Sequence, residues 1–435
     1  MIFSDLIFVF AFLPIYLIVS FSCRETSTKN MVSVIASLIF ITWGRQWYYA
    51  LIILPVFLIY ILGLLSKRIN NLAAEVVGNI AAIGFAAFGV MTVGTEGTLH
   101  SALISVGFLL FALRCVLYTK NVTEGMEPER SFFALAMYLI SFENMLIAPL
   151  SDYEDVKEKL SSRRASLSKM SAGFSAFIKG FAKTAVLGLA FERVRLAATE
   201  YAAFPWANAL ILLIVTFGEA YVITVGISEM SCGLSLMNGF SPKLRTAAFL
   251  PKYRLGDHIS EIWSSLPKFV RACFCERSGT GVLISLAAVS LLSGIFLSFG
   301  AGAGAFFGII ILAMILEGMA PRRSRAADMI FTVVLLAAAF LALTCCSVGG
   351  ISEFFSVFNT SAYGYDITFA LNAELWRNLP WMIVGVIVVS PIYRIVSAAI
   401  RSRMSESESF YGAARAAETV ICAILLIIAA AASAM

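Results

Sequence analysis

Two imidazoles, His100 and His258, and four ionisable side chains set in apolar runs, Arg114, Glu143, Glu219 and Glu229, are the residues of this chain best suited to proton chemistry. Histidine titrates near neutral pH and is the commonest general base. His258 lies in "GDHISEIWSSLPKF" (256–269), a basic stretch between long apolar runs. It is either a base or a solvated loop residue beside Asp257. Glu229 is the carboxylate alternative, and His100, at the start of an apolar run, reads as interfacial. No G-x-S-x-G elbow, P-loop or H-E-x-x-H is present, so no serine-elbow, nucleotide-phosphate or zinc-protease chemistry takes their place. The cysteines give no metal site: Cys273 and Cys275 form a C-x-C without a histidine or a second pair, and adjacent Cys345 and Cys346 have poor geometry for a mutual disulfide.

The elements that position these residues are membrane helices. Hydrophobic residues make up 60% of the 435 and charged residues 14%, where soluble domains carry about 45–50% and about 25%. The net charge of +5 is assigned to loops facing anionic lipid and cytoplasm, and no nucleic-acid partner is expected. Apolar runs near the ~20 residues that cross a bilayer occur at 5–22, 31–43, 47–65, 72–93, 99–118, 173–191, 205–226, 281–298, 303–320, 326–347, 381–399 and 412–434. The expected fold is an all-α polytopic membrane protein, a single domain over 1–435. The first run lacks a basic flank and is expected to stay as a membrane helix rather than act as a signal peptide.

Segment 131–150, "SFFALAMYLISFENMLIAPL", is long enough to span, but Glu143, Asn144 and Pro149 interrupt it. Charges at membrane depth are costly, so it is expected to be a broken, re-entrant element shielded by protein. The positive-inside rule agrees. With the amino terminus outside and 131–150 re-entrant, the basic groups at 24–29, 67–68, 157–169, 241–280, 321–325 and 401–403 all face the cytoplasm. Stretch 151–170 is then a cytoplasmic amphipathic segment, 241–280 a cytoplasmic segment and 348–380 an external loop. Arg114, Glu143, Asn144, Glu219 and Glu229 must face protein or a water-filled cavity, or else pair with one another for structural reasons.

Several segments, in order along the chain, resemble the membrane-bound O-acyltransferases, in their bacterial branch that acylates cell-envelope polymers such as alginate and teichoic acid. They are "MIFSDLIFVFAFLPIYLIVSF" (1–21), "ASLIFITWGRQWYYALIILPVFLIYILGLL" (36–65), "YLISFENMLIAPLSDYEDV" (138–156) and "YVITVGISEMSCGLSLMNGF" (221–240). The last is the best anchor, sharing Tyr221, Gly226, Ser228, Met230, Gly233, Leu234, Gly239 and Phe240 with the family pattern and carrying Glu229 where the family has aspartate.

The resemblance implies about 11–13 membrane segments with re-entrant elements around a central funnel. The funnel would be lined by Arg114, Glu143, Asn144, Glu219, Glu229 and Trp263. In the family a histidine lies four residues beyond a tryptophan. Aligning "ISEIW" (259–263) with that motif puts Pro267 at the first histidine position, and "LLSGIFLSFG" (291–300) puts Leu297 at the second. The rival alignment matches His258-Ile259-Ser260 to the family's "HIS" but leaves the surrounding tryptophans unmatched.

The resemblance thus implies an acyltransferase-like protein without its family histidines, binding an acyl chain, lipid or partner in an envelope-polymer modification or export assembly of a bacterial inner membrane. Its expected partners are membrane lipid and an extracytoplasmic envelope-modification protein. The alternative is an active O-acyltransferase using His258 or Glu229, with an acyl-CoA or acyl-carrier protein as donor. A further alternative is a transporter or channel. No cofactor or metal is expected.

Overall fold

The computed structural model describes residues 3–43, 48–65, 77–78, 80–82, 84–85, 99–144, 153–163, 166–199, 206–240, 254–257, 301–319, 324–347, 369–406 and 408–434. All regular structure among them is helical. The chain enters through a π turn, Phe8–Phe12, that runs without a break into α1 (Leu13–Ser22), with Pro14 just after the π turn. Then come α2 (Thr26–Thr42), α3 (Tyr48–Leu65) and α4 (Leu99–Thr123).

Helix α5 (Phe132–Ile140) begins at Ser131, whose Oγ accepts the Ala134 N–H, and ends after nine residues. At 1.5 Å per residue that is about 14 Å, under half of the ~30 Å hydrocarbon core. A tight 3₁₀ turn, Phe142–Asn144, follows. Its start is pinned by the Phe142 N–H donating to Ser37 Oγ of α2 at 3.0 Å.

The amphipathic stretch 151–170 divides. Helix α6 (Tyr153–Ser162) exposes Glu154, Lys157, Glu158 and Lys159 while burying Tyr153 and Leu160. Helix α7 (Leu167–Ala182) starts at the Ser166 cap, and its axis continues through a π turn, Lys183–Gly188, into α8 (Leu189–Thr199). Helix α9 (Trp206–Met237) outruns the expected span 205–226 because Glu229, Ser231 and Ser235 all find partners inside the protein. Gly239, at a φ of 91°, ends it: the reversal lets the Phe240 N–H reach back to Ser235 O at 3.0 Å.

Helices α10 (Ala301–Met319) and α11 (Arg325–Ser347) pack as a pair. Helix α12 (Phe369–Val389) starts inside the stretch read as external loop, and the span expected at 381–399 is cut at Ser390. Pro391 opens α13 (Pro391–Glu406) and disfavours helical backbone at the residue before it. Helix α14 (Glu408–Ala434) completes the series.

Among the described residues, Leu167–Thr199, Ala207–Met237, Arg325–Ala342 and Tyr411–Ala434 are long and apolar enough to cross a membrane. Side chains such as Ile18, Leu54, Ile330 and Ile427 point outward, as lipid-facing residues must. The molecule is an all-α polytopic membrane protein.

Among the described residues, three apolar cores hold the bundle. One joins α1, α2, α7 and α9, with Phe142 of the tight turn at its centre. The second joins α2 to α6 around Tyr118, Tyr138 and Tyr153. The third joins α8, α9 and α12 around Phe191.

Candidate functional site

The site region is built on the contact of α7 with α9. Without an aqueous phase between helices, close packing depends on small residues that let backbones touch. A Cβ on Gly180 would meet Gly226 O at 2.4 Å, and one on Gly233 would meet Gly173 O at 2.6 Å. Two glycine pairs, one per end of the contact, therefore bring the axes together. Beside the Gly180–Gly226 pair, Lys183 Nζ reaches Glu229 Oε1 at 2.5 Å. The ammonium also stands 5.3 Å from the centre of the Tyr393 ring, a cation–π distance. Lys183 opens the π turn, a feature common at functional positions. Glu229 Oε2 is buried without a hydrogen-bond partner.

Two further ion pairs flank it. Glu219 accepts from Arg195 Nε at 2.7 Å across α8 and α9. Glu418 of α14 accepts from Lys179 Nζ and Ser175 Oγ, both at 2.6 Å. Ser175, Lys179 and Lys183 recur every fourth residue, so one side of α7 carries a polar row into the bundle.

The turn after α5 carries a separate cluster. Glu143 is buried, its Oε1 accepts from Asn238 Nδ2, and its backbone carbonyl accepts from Ser231 Oγ at 2.5 Å. Burial pushes its carboxyl up to about 7 against the opposing pull of Arg163. Arg163 donates to Ser33 Oγ at 3.2 Å and lies 5.3 Å from the Phe240 ring centre. Ser33 and the Tyr16 hydroxyl share a hydrogen bond of 2.9 Å. Asn144 closes the turn.

The proposed funnel residues thus fall at different places. Glu143 and Glu229 both meet α9, but through separate partners; Glu219 pairs with α8; Arg114 is buried at the α4–α5 contact and donates to Leu139 O at 3.3 Å. No hydrogen bond or ion pair joins these four to one another among the described residues. His100 lies in the first turn of α4. His258, Trp263, Pro267 and Leu297 lie outside the described residues, as do 281–298 and 348–368. The segment leading to His258 is described at Arg254–Asp257. There Glu317 of α10 accepts the backbone N–H of Leu255 at 2.7 Å and of Gly256 at 3.0 Å.

Sequence reading missed Lys183, Arg195 and Arg163 as partners. Lys179 and Lys183 both lie within the apolar run 173–191, and a lysine there is itself a signal that an acid faces it. Among the described residues no three histidines, cysteines or acids gather as metal ligands.

This arrangement defines an all-α membrane scaffold with charge pairs inside it. The chain is similar to proteins curated as "Probable alginate O-acetylase AlgI". That of Pseudomonas syringae pv. tomato is 24% identical over 290 residues, 60% of this chain and 54% of the relative. Those of Pseudomonas putida and Pseudomonas aeruginosa are 24% and 25% identical, over 60% and 55% of this chain and 57% and 50% of theirs. The chain therefore spans about half the length of the curated relatives it matches. No protein-family model matches it. These similarities bear out the resemblance to the membrane-bound O-acyltransferases: the chain is a membrane protein similar to these bacterial O-acetylases.

Proposed function

We propose that the protein serves cell-envelope polysaccharide modification as a scaffold that binds an acyl chain, lipid or partner protein without itself transferring the acyl group. The observation that carries this reading is the pairing of Glu229. One oxygen of Glu229 is committed to an ion pair with a buried ammonium at 2.5 Å, a pairing that satisfies a buried charge and so reads as structural. On its α9 side the glycine-packed α7–α9 contact falls within the segment 221–240 that resembles the family, while Pro267 and Leu297 at the aligned histidine positions offer no imidazole. Short α5 and its break support a re-entrant 131–150, with the amino terminus outside and α6 cytoplasmic. No cofactor is needed for such a role. An extracytoplasmic modification protein is the natural partner.

The test is acyl transfer by the purified protein, with an acyl-CoA or an acyl-carrier protein as donor and an envelope polysaccharide as acceptor. Turnover at background, unchanged in His258→Ala, is expected. General-base catalysis contributes about 10²–10⁴-fold. A loss on the order of a hundredfold in a well-folded His258→Ala protein would make His258 the base and the protein an active O-acyltransferase.

A further inference from the structure

Where α2, the turn after α5, the end of α6 and the end of α9 meet, polar atoms are buried without hydrogen-bond partners: Asn30 Oδ1, Ser141 Oγ, Glu143 Oε2, and Arg163 Nε and Nη1. Each parent residue is at least nine-tenths buried. The surrounding geometry is fixed. Asn30 donates through Nδ2 to Leu160 O at 3.2 Å, Arg163 is held by Ser33 and lies against Phe240, and Glu143 is held by Asn238. Arg163 has no ion pair among the described residues; Glu143 acts on it only from beyond contact distance.

A buried guanidinium without a touching counter-charge is unfavourable, and its free N–H donors call for oxygen acceptors. Arginine presents such donors in a rigid plane suited to carboxylate and phosphate. A cation is the wrong occupant, because Arg163 would repel it. An apolar group would leave every one of these atoms unmatched, whereas an oxyanion meets the donors among them, Arg163 Nε and Nη1 and the Ser141 hydroxyl, and not the acceptors Asn30 Oδ1 and Glu143 Oε2. We propose that this cluster is a binding site for one oxyanion group, a carboxylate or phosphate, held by the free donors of Arg163 with the Ser141 hydroxyl as a further donor. The source is either a small soluble anion or a lipid headgroup, which share this chemistry. The proposal stands whether or not acyl transfer occurs.

The experiment measures thermal unfolding of the full chain in phosphate-free maltoside micelles. Sodium acetate, sodium phosphate and phosphatidylglycerol doped into the micelles are each compared with sodium chloride at equal ionic strength. A saturable rise of several degrees is expected with at least one of the three. A response to phosphatidylglycerol alone assigns a headgroup, and a response to acetate or phosphate a soluble anion. Arg163→Gln should abolish the response. Ser33→Asp, placing a carboxylate on the oxygen position that Arg163 already contacts, should fold and no longer respond. Absence of any response in the unaltered protein, or an undiminished one in either variant, overturns the proposal.

Discussion

Lys183 and Glu229 form a buried ion pair of 2.5 Å, and each stands three residues beyond a glycine, Gly180 and Gly226, whose backbones touch. The pair exists because the helices are close enough for a lysine and a glutamate to meet without leaving the interior. Removing one partner leaves the other charged and buried, which costs about 3–5 kcal/mol, whereas replacing both is often nearly neutral. Lys183→Met and Glu229→Gln alone should each lower thermal stability strongly, and the double variant should recover most of the loss. Losses that simply add in the double variant would show that the two residues do not act as a unit.

The glycines come next. In Gly180→Ala or Gly233→Ala the new methyl would meet a backbone carbonyl at 2.4 or 2.6 Å, and backbone cannot swing away. Overpacking of this kind costs about 1–3 kcal/mol. The matched control is Gly308→Ala, where a Cβ meets nothing within 4 Å and better helix propensity should stabilise slightly. Unfolding of the three variants in micelles should separate them in that order.

The helical, polytopic architecture is legible in the sequence because apolar composition and run length leave a membrane chain few alternatives. The anchor 221–240 is legible for physical reasons: Gly226 and Gly233 serve close approach, Gly239 the left-handed helix end, and Phe240 the face beneath Arg163. Which charges meet is not legible. Lys183 and Glu229 lie 46 positions apart, and Arg163 belongs to a stretch whose composition reads as solvated surface although the fold turns its end inward. The break at Ser390 shows the limit of run counting, since hydropathy alone carries straight across Pro391.

Glu143 makes stability depend on pH. Its folded carboxyl titrates at about 7 where the ordinary value is 4.5, with burial as the leading cause. Raised in the folded state, it favours folding fully below pH 4.5, and that contribution is lost as pH rises through about 7. Glu143→Gln mimics the protonated side chain and keeps an oxygen for Asn238. It should match the unaltered protein at about pH 4 and exceed it at pH 8, by up to about 3 kcal/mol at 1.36 kcal/mol per unit. Parallel unfolding curves across this range would mean that Glu143 is not the titrating group.

Glu317 sits in the last turn of α10, where a helix C-terminus disfavours a carboxylate. Its compensation is the pair of backbone N–H groups of Leu255 and Gly256, at 2.7 and 3.0 Å; Arg254 adds a donor to Glu317 O at 3.4 Å and stands 3.9 Å from Asp328. The side chain thus ties the segment leading to His258 onto the α10–α11 pair. Glu317→Ala frees both amides, and hydrogen exchange at Leu255 and Gly256 should accelerate by on the order of tenfold for each ~1.4 kcal/mol of lost protection. Glu317→Gln keeps one acceptor oxygen and should fall between. Because α10 and α11 pack independently of this tie, their own amides should exchange unchanged in both variants, and acceleration spreading through α10 would show that Glu317 supports the helix pair rather than the tied segment.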